Sequence, residues 1–311
     1  MRKRPEPPRV RLAYSSATHH RRRRRTAAVV AVALVALAAG LAVGAGGGED
    51  RAVARSAGGL PSGWGARVRA LGGNGQLSLA FRQRRAENRA VAATLARTPY
   101  VREAGSQHRE VALTFDDGPG PYTPQVLDIL RRERVHATFF TVGQEVVSFH
   151  RYSTREILEG DAIGNHTWNH PQMSGLAASG QAAQVDQTNQ ILVGHGIPRP
   201  VIFRAPYGVW NAQTLALMRR ERMLMVLWDV DTQDYEQPGA DAIVQRAVGG
   251  AQPGSIILMH DGGGPRSQTV AALPRIISGL RKRGFRMVTV PRLLSDNPAS
   301  ARQQLPPPAK A

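Results

Sequence analysis

The sequence predicts an α/β fold, a parallel (β/α) barrel of about seven units with a transmembrane helix near the N-terminus. From residue 109 onward, short apolar runs alternate with amphipathic helical patterns, as expected for parallel strands covered by helices. Polar motifs follow the ends of several apolar runs, which is where barrel enzymes collect their functional residues. One long uncharged segment lies upstream, at residues 27–45. The alternative architecture is a doubly wound open sheet.

The individual elements follow from the periodicity of the apolar residues. Strand-like runs occupy 110–115, 137–142, 162–165, 201–205, 224–230, 255–260 and 285–290, the third being the weakest. Helical patterns fill the intervals at 123–134, 145–159, 179–194, 211–222, 239–249 and 268–283. Since strands that are apolar along their whole length are typical of sheets buried on both faces, the pattern predicts a catalytic domain over residues 109–295.

The N-terminal region reads as a membrane anchor. Residues 27–45 carry no charge and directly follow the arginines at 21–25; as a helix they span about 28 Å, close to the thickness of a hydrocarbon core. The basic block predicts that residues 1–26 stay in the cytoplasm and that everything after the anchor is exported. The competing interpretation is a cleaved signal peptide, with its site near 43–45, which yields a secreted protein.

Two appendages flank the predicted catalytic domain. Residues 46–108 are expected to form a stalk and a linker helix, the latter an amphipathic segment at 76–98 that packs on the domain. Residues 296–311 form a Pro-rich tail with nothing apolar enough to pack.

The positive charge of the chain is concentrated in its N-terminal region. The formal net charge is +18, but residues 1–60 hold 12 Lys/Arg against 3 acids, whereas residues 111–295 hold 18 against 16. The motif-bearing part is therefore almost neutral, which argues against a nucleic-acid partner. No cysteine occurs, so any metal must be held by oxygen and nitrogen atoms. Nothing in the sequence demands more than a monomer.

Five polar motifs carry the chemistry. In chain order they are Thr114–Pro119 (TFDDGP), His166–His170 (HTWNH), Arg204–Tyr207 (RAPY), Asp231–Tyr235 (DTQDY) and Leu258–His260 (LMH). Each lies at the end of an apolar run. Together they supply metal ligands, a carboxylate base and a histidine acid, the groups that metal-assisted hydrolysis of an acyl group requires.

The first two motifs predict the metal site. Adjacent carboxylates at the end of a strand, Asp116 and Asp117, point in alternate directions, so that one can bind a metal while the other faces the substrate. His166 and His170 have the spacing that places two imidazoles on one face of a helical turn, here on a short turn after the 162–165 strand. Two imidazoles and one carboxylate make a three-ligand site with open positions, suited to Zn²⁺ or a similar ion.

The remaining motifs supply acid, orientation and oxyanion groups. His260 ends an otherwise apolar strand and is a candidate general acid, with Asp234 or Asp231 as its hydrogen-bond partner. Arg204 ends another strand and is placed to orient Asp116 by an ion pair. Tyr207 lies in a tight turn whose backbone N–H is a candidate oxyanion donor.

The five ordered motifs closely resemble those of the polysaccharide deacetylase family, the NodB-homology domain of carbohydrate esterase family four. The resemblance covers about residues 109–292 and implies a distorted barrel. Position by position, it implies that Asp117, His166 and His170 bind a divalent metal, Zn²⁺ or Co²⁺, and that Asp116 is the general base.

The same resemblance implies roles for the other motif residues. His260 is then the general acid tuned by Asp234, Arg204 holds Asp116, and the Tyr207 N–H belongs to the oxyanion hole. Two departures are visible: Tyr235 stands where the family often has Trp, and Ala205 where many members have Pro.

The function expected from these residues is removal of N-acetyl groups from N-acetylglucosamine-type residues of an envelope polysaccharide, with peptidoglycan favoured by the predicted position beside the wall. The alternative substrates are chitin oligosaccharide, an exported polysaccharide or O-acetylated xylan. Two further alternatives are a non-catalytic wall-binding domain and a hydrolase of another class, such as a cyclic amidase; the intact set of motif residues disfavours both.

Overall fold

The computed structural model describes residues 74–303. Within this part of the chain no helix is both long and apolar enough to cross a membrane. The predicted anchor at 27–45 and the basic segment at 1–26 lie outside the described residues, as do most of the predicted stalk and the end of the Pro-rich tail.

Strands and helices alternate through the described residues as the periodicity predicts. The strands are β1 (Tyr100–Val101), β2 (Glu110–Asp116), β3 (Thr138–Thr141), β4 (Ala162–Asn165), β5 (Ile202–Phe203), β6 (Leu224–Val226), β7 (Val230–Asp231), β8 (Ile256–His260) and β9 (Arg286–Met287). The α-helices are α1 (Asn74–Arg97), α2 (Thr123–Glu133), α3 (Gly143–Glu159), α4 (Ala178–Gly194), α5 (Ala212–Glu221), α6 (Ala240–Gly250), α7 (Ser267–Lys282) and α8 (Val290–Asp296).

All the strands belong to one curled sheet with the order β1-β6-β5-β4-β3-β2-β8-β7, and every neighbouring pair is parallel. β9 adds to the first residues of β2, also in parallel. From β2 onward each strand or strand pair is followed by a helix, as a parallel sheet requires of its crossovers. This half-barrel of β/α units confirms the parallel α/β architecture predicted from the sequence.

The barrel is distorted where one predicted strand is broken in two. The run at 224–230 forms β6 and β7, which lie at opposite regions of the strand order, so the residues between them cross the opening of the sheet. The Asp229 carboxylate interrupts the strand: it accepts hydrogen bonds from the Ile256 N–H at 2.6 Å and the Ser255 hydroxyl at 2.6 Å. The Asp229 side chain thus accepts hydrogen bonds that the backbone carbonyls of a continuous strand would otherwise accept.

A second difference concerns the predicted strand at 285–290. Only Arg286–Met287 pair as β9, because the chain then turns into a helix. The Thr289 side chain accepts a hydrogen bond from the Arg292 N–H, and Pro291 stands in the first turn of α8. Threonine at the cap and proline in the first turn are both typical helix starts, and here they outweigh the strand propensity of the apolar residues.

The packed domain extends beyond both ends of the predicted 109–295 boundary. β1 adds an edge strand to β6, and Val91 of α1 is buried in the same apolar cluster as Leu293 of α8. On the other side, Ala299 is buried and the Gln303 side chain accepts a hydrogen bond from the Arg102 N–H at 3.0 Å. These contacts are between segments distant in sequence, which local composition does not reveal.

Helix α3 buries an acid whose carboxylate has no hydrogen-bond partner among the described residues. Glu156 of α3 is 0% exposed, and neither carboxylate oxygen has a hydrogen-bond partner within the described part of the chain. Burial, followed by the nearby Asp261 and Asp161, raises the pKa of Glu156 well above its usual value. The folded protein therefore holds a proton that the unfolded chain releases at a lower pH.

This proton makes stability fall as pH rises. At pH values below the unfolded-state pKa of about 4.5, the contribution of Glu156 to the free energy of unfolding is fully present. As the pH rises toward the raised pKa of the folded state, this contribution falls by up to about 1.4 kcal/mol per pH unit. Because an amide does not ionise, Glu156→Gln is expected to flatten this dependence in urea unfolding between about pH 5 and 8. The exposed acid variant Glu103→Gln serves as the control; equal slopes for all three proteins would contradict the prediction.

Candidate active site

The motif residues meet at the carboxyl ends of the strands. Asp116 and His260 end the neighbouring strands β2 and β8, and their Cα atoms are register partners. His166 and Arg204 follow the ends of β4 and β5, which pair at Asn165 and Phe203. Because parallel strands end at one edge, five sequence-distant motifs converge on a single cleft.

Asp117, His166 and His170 form a cluster that can hold a metal ion, with one potential ligand atom from each residue and all three atoms within 4.8 Å of one another. The Asp117 Oδ1 atom lies 3.5 Å from His166 Nε2 and 3.2 Å from His170 Nε2. The histidine pair does not lie on a helical turn. Thr167 and His170 have φ values of 71° and 59°, so a loop with two left-handed residues brings the rings together.

The histidine loop is tied to its surroundings by hydrogen bonds. At the start of α3, the Gly143 N–H donates to the Thr167 carbonyl at 2.9 Å and the Gln144 N–H to the Trp168 carbonyl at 2.8 Å. His166 Nδ1 lies 2.7 Å from the Arg204 carbonyl oxygen. As the donor in that bond, Nδ1 carries the proton and Nε2 is left with its lone pair toward Asp117, the tautomer that metal coordination needs.

The donor set fits a divalent metal. Asp117 Oδ1 is buried and has no hydrogen-bond partner among the described residues, so this carboxylate oxygen is available to bind a cation. Burial raises the pKa of Asp117, but the positive charge that the neighbouring imidazoles of His166, His260 and His170 can carry outweighs burial and holds this pKa well below its usual range. Burial, followed by the charge of the nearby His166, lowers the pKa of His170 to about 4. One carboxylate and two imidazoles are ligands suited to Zn²⁺.

Glycine is needed beside this cluster. Gly263 has a φ of 69°, and a Cβ placed on it would lie 2.3 Å from Asp117 Oδ2. Any other residue would displace the Asp117 carboxylate of this cluster.

Asp116 is held by a buried arginine. Arg204 is 0% exposed, and its Nη1 atom donates to Asp116 Oδ1 at 2.7 Å and to the Thr114 hydroxyl at 2.8 Å. The other guanidinium nitrogens donate to the Val226 and Leu227 carbonyls. The second oxygen of Asp116, Oδ2, lies 3.7 Å from His166 Nε2 and therefore faces the cluster. The arginine predicted to orient Asp116 contacts it directly.

Asp234, and not Asp231, is the partner of His260. Its Oδ1 lies 2.7 Å from His260 Nδ1, and its Oδ2 accepts from the His260 backbone N–H at 2.9 Å and from the Thr269 hydroxyl at 2.7 Å. Burial lowers the pKa of His260, but Asp234 more than offsets burial and the net direction is upward. Asp231 instead accepts from the Tyr235 hydroxyl at 3.2 Å.

Two exposed tyrosines flank the cleft. Tyr207 lies in the short helical turn Pro206–Gly208 with a φ of 60°, and its ring centroid is 4.6 Å from that of His170. Tyr235 lies 5.4 Å from the His260 ring. The side chains are 56% and 43% exposed, which suits aromatic surfaces that stack on a sugar.

A cavity of about 320 Å³ opens beside the cluster, lined by Asp117, Val142, Gln144, Glu145, Asn169, His170, Tyr207 and Gly263. Sequence reasoning did not identify Glu145 as a site residue. It also did not identify Thr269, whose hydroxyl donates to Asp234, or Asp261, a fully buried acid whose pKa burial raises to about 7. Lone acids and threonines have no spacing that distinguishes them, so only the fold identifies these three.

Comparison with known families and proteins agrees with the motif resemblance. The sequence profile of the polysaccharide deacetylase family matches residues 104–226. A peptidoglycan-N-acetylglucosamine deacetylase of Bacillus cereus is 42% identical over 207 residues, which cover 63% of this chain and 94% of that protein. A chitooligosaccharide deacetylase of Sinorhizobium fredii is 38% identical over 204 residues, covering 61% of this chain and 94% of that protein.

The fold is shared with solved structures of the same kind. The crystal structure of a peptidoglycan N-acetylglucosamine deacetylase superposes with a TM-score of 0.62 at 34% sequence identity, covering 67% of this chain and 97% of that one. The curled sheet of this chain thus occurs in a protein that it matches over almost that protein's whole length.

Proposed function

The chain belongs to the polysaccharide deacetylase family, and from this premise we propose that it removes the N-acetyl groups of N-acetylglucosamine residues in peptidoglycan. The observation that carries the proposal is the set of Asp116, Asp117, His166, His170 and His260 around one cleft. The name of the Bacillus cereus relative supports the substrate.

We assign the metal to Asp117, His166 and His170. A divalent ion such as Zn²⁺, when bound there, supplies Lewis-acid polarisation of the acetyl carbonyl and lowers the pKa of water. The residues around it do the rest of the chemistry.

Asp116 acts as the general base. Arg204 holds one carboxylate oxygen, which leaves Oδ2 on the side of the cluster to take a proton from the attacking water. The carbon–oxygen bond to water forms as the carbonyl π bond opens onto its oxygen. The backbone N–H of Tyr207 donates to that oxygen.

His260 acts as the general acid. Its Nδ1 atom is engaged by Asp234, so the proton at Nε2 passes to the sugar nitrogen as the carbon–nitrogen bond breaks. The products are acetate and the free amine of the sugar. Asp234 keeps the imidazole in this orientation and favours its charged form.

The pH profile tests the role of Asp234. Because this carboxylate raises the pKa of His260, the variant Asp234→Asn is expected to move the alkaline limb of the kcat profile to lower pH, where the imidazole now loses its proton. The value of kcat should also fall, by up to about 10²–10⁴-fold if the acid is disabled. Asp231→Asn is the matched control, and an unmoved limb in Asp234→Asn would contradict the assignment.

The substrate is tested by acetate release from purified peptidoglycan by the full-length chain, before chelation, after chelation, and after Zn²⁺ or Co²⁺ is added back. We expect release that chelation abolishes and metal restores. Release from chitin oligosaccharides but not from peptidoglycan would favour the second candidate, which the name of the Sinorhizobium fredii relative supports.

We further propose that residues 27–45 anchor the protein in the bacterial membrane, with the catalytic domain outside the cytoplasm. This location brings the cleft to the cell wall. Fractionation of cells should recover the full-length chain with membranes; recovery of a shortened chain in the medium would indicate a cleaved signal peptide instead.

A further inference from the structure

Arg266 is a buried cation near the cleft that the proposed mechanism does not use. It directly precedes α7, and it is 4% exposed. Within the described residues its guanidinium donates only to backbone carbonyls, those of Gly262 at 2.7 Å, Gly263 at 3.2 Å and Pro265 at 3.4 Å. Because burying a charge is costly, an arginine that is buried against carbonyls indicates that these hydrogen bonds have a role.

The carbonyls that Arg266 binds belong to the connection between β8 and α7. Residues 262–264 of this connection, here called the glycine loop, are all glycines, so no side chain of the loop can fix it by packing. Gly263 and Gly264 have φ values of 69° and 139°. The loop is held at its start by β2, since the Gly262 N–H donates to the Asp116 carbonyl at 3.3 Å. Further along, the hydrogen bonds from Arg266 hold it.

The glycine loop packs directly on Asp117, one of the three proposed metal ligands. A Cβ added to Gly262 would lie 2.2 Å from the Asp117 carbonyl oxygen, and one added to Gly263 would lie 2.3 Å from Asp117 Oδ2. The loop therefore touches both the backbone and the carboxylate of Asp117. A shift of the loop changes the space in which the carboxylate lies.

Asp117 needs such support because its backbone conformation is unfavourable. Its φ is 72°, in the left-handed region that aspartate adopts only occasionally. Residues in sparsely populated conformations at functional sites keep them only where the surrounding structure imposes them. The contact with the glycine loop is one such constraint, and it is only as firm as the hydrogen bonds that fix the loop.

We propose that Arg266 is a positioning residue for the metal site. By holding the glycine loop, it keeps the Asp117 carboxylate directed toward His166 and His170, and so it raises the affinity of the three residues for a divalent ion. The inference rests on the proposed assignment of the metal to these residues. Arg266 itself touches neither the metal nor the substrate, and its effect passes through Asp117.

The test compares the Zn²⁺ affinity of the full-length wild type with that of Arg266→Lys. Lysine keeps the positive charge but lacks the planar guanidinium that reaches several carbonyls at once. We expect titration calorimetry to show a loss of affinity of about 10–100-fold, the usual effect of residues that hold a metal ligand. The visible absorption of bound Co²⁺, which reports the geometry around the ion, should change as well.

Arg283→Lys is the matched control. Arg283 lies at the other end of α7, and its guanidinium donates to the Val248 carbonyl. The control therefore makes the same replacement in an arginine that also binds a backbone carbonyl. It should leave the Zn²⁺ affinity and the Co²⁺ absorption unchanged.

A double-mutant cycle separates positioning from a general loss of stability. Asp117→Gly removes the carboxylate, and glycine adopts the left-handed backbone conformation without strain. If Arg266 acts through this carboxylate, Arg266→Lys should not weaken further the residual affinity of Asp117→Gly. If Arg266→Lys does not fold, Arg266→Gln, whose amide can still donate to one carbonyl, takes its place in both comparisons.

The outcomes separate this inference from the proposed function. Unchanged Zn²⁺ affinity in the folded Arg266 variant would overturn the inference. An equal loss with and without the Asp117 carboxylate would also overturn it, because Arg266 would then support the fold and not the ligand. A wild type that binds no divalent ion would instead refute the proposed metal site, and the proposed function with it.

Discussion

Asp116→Asn is expected to reduce kcat by about 10²–10⁴-fold while the protein keeps its full complement of metal. The amide still accepts a hydrogen bond from Arg204 but is not a base, and Asp117, His166 and His170 are untouched. Steady-state acetate release together with metal analysis of the same sample measures both quantities. Retained turnover would show that another group takes the proton.

The control concerns the buried guanidinium. Removing the charge partner of Arg204 leaves a buried cation less well compensated, at a cost of up to about 3–5 kcal/mol of folding free energy. Thr114→Val removes another acceptor of the same Arg204 Nη1 atom but keeps the carboxylate. If disturbance of Arg204 caused the loss of activity, Thr114→Val would share it; we expect it to lower the unfolding temperature but to retain most of kcat.

His170→Ala is expected to lower metal affinity by more than about 100-fold, the upper end of the effect of residues that only support a ligand. It removes one of the three proposed ligands and a ring that packs on Tyr207. Isothermal titration with Zn²⁺ measures the affinity, and acetate release should fall in parallel at limiting metal.

His150→Ala is the matched control for that experiment. His150 lies on the exposed side of α3, where its ring stacks on His195 at 4.4 Å. Its removal should leave the affinity and stoichiometry at the cleft unchanged. Unchanged affinity in His170→Ala would instead remove this residue from the ligand set and require another donor.

The parallel α/β architecture was predictable from the sequence because its strands are apolar and its helices amphipathic. The bounds of the strand at 162–165 agree with those of β4, and most helices agree within two residues. The failures occur where a single polar contact outweighs propensity. Asp229 breaks the run at 224–230, and Thr289 starts a helix inside the predicted strand at 285–290.

The candidate site divides in a similar way. Residues in ordered motifs, such as His166 and Asp117, were identified together because the spacing of several groups is specific. The choice between Asp231 and Asp234 needed the fold, since both acids stand in the fourth motif and their spacing does not say which one reaches His260. Glu145 gave no signal, because an acid in the first turn of a helix is ordinary.

The pairing of β2 with β8 has a consequence for the order in which the protein assembles. The strand that ends in Asp116 finds β3 nearby in the chain, but its other neighbour, which ends in His260, comes from the far C-terminal part. Contacts between such distant segments form slowly, since a long loop must close first. The proposed base and the proposed acid therefore meet only once β8 has paired with β2. A chain that has not yet been synthesised as far as β8 has the proposed ligands Asp117, His166 and His170 but lacks the proposed acid.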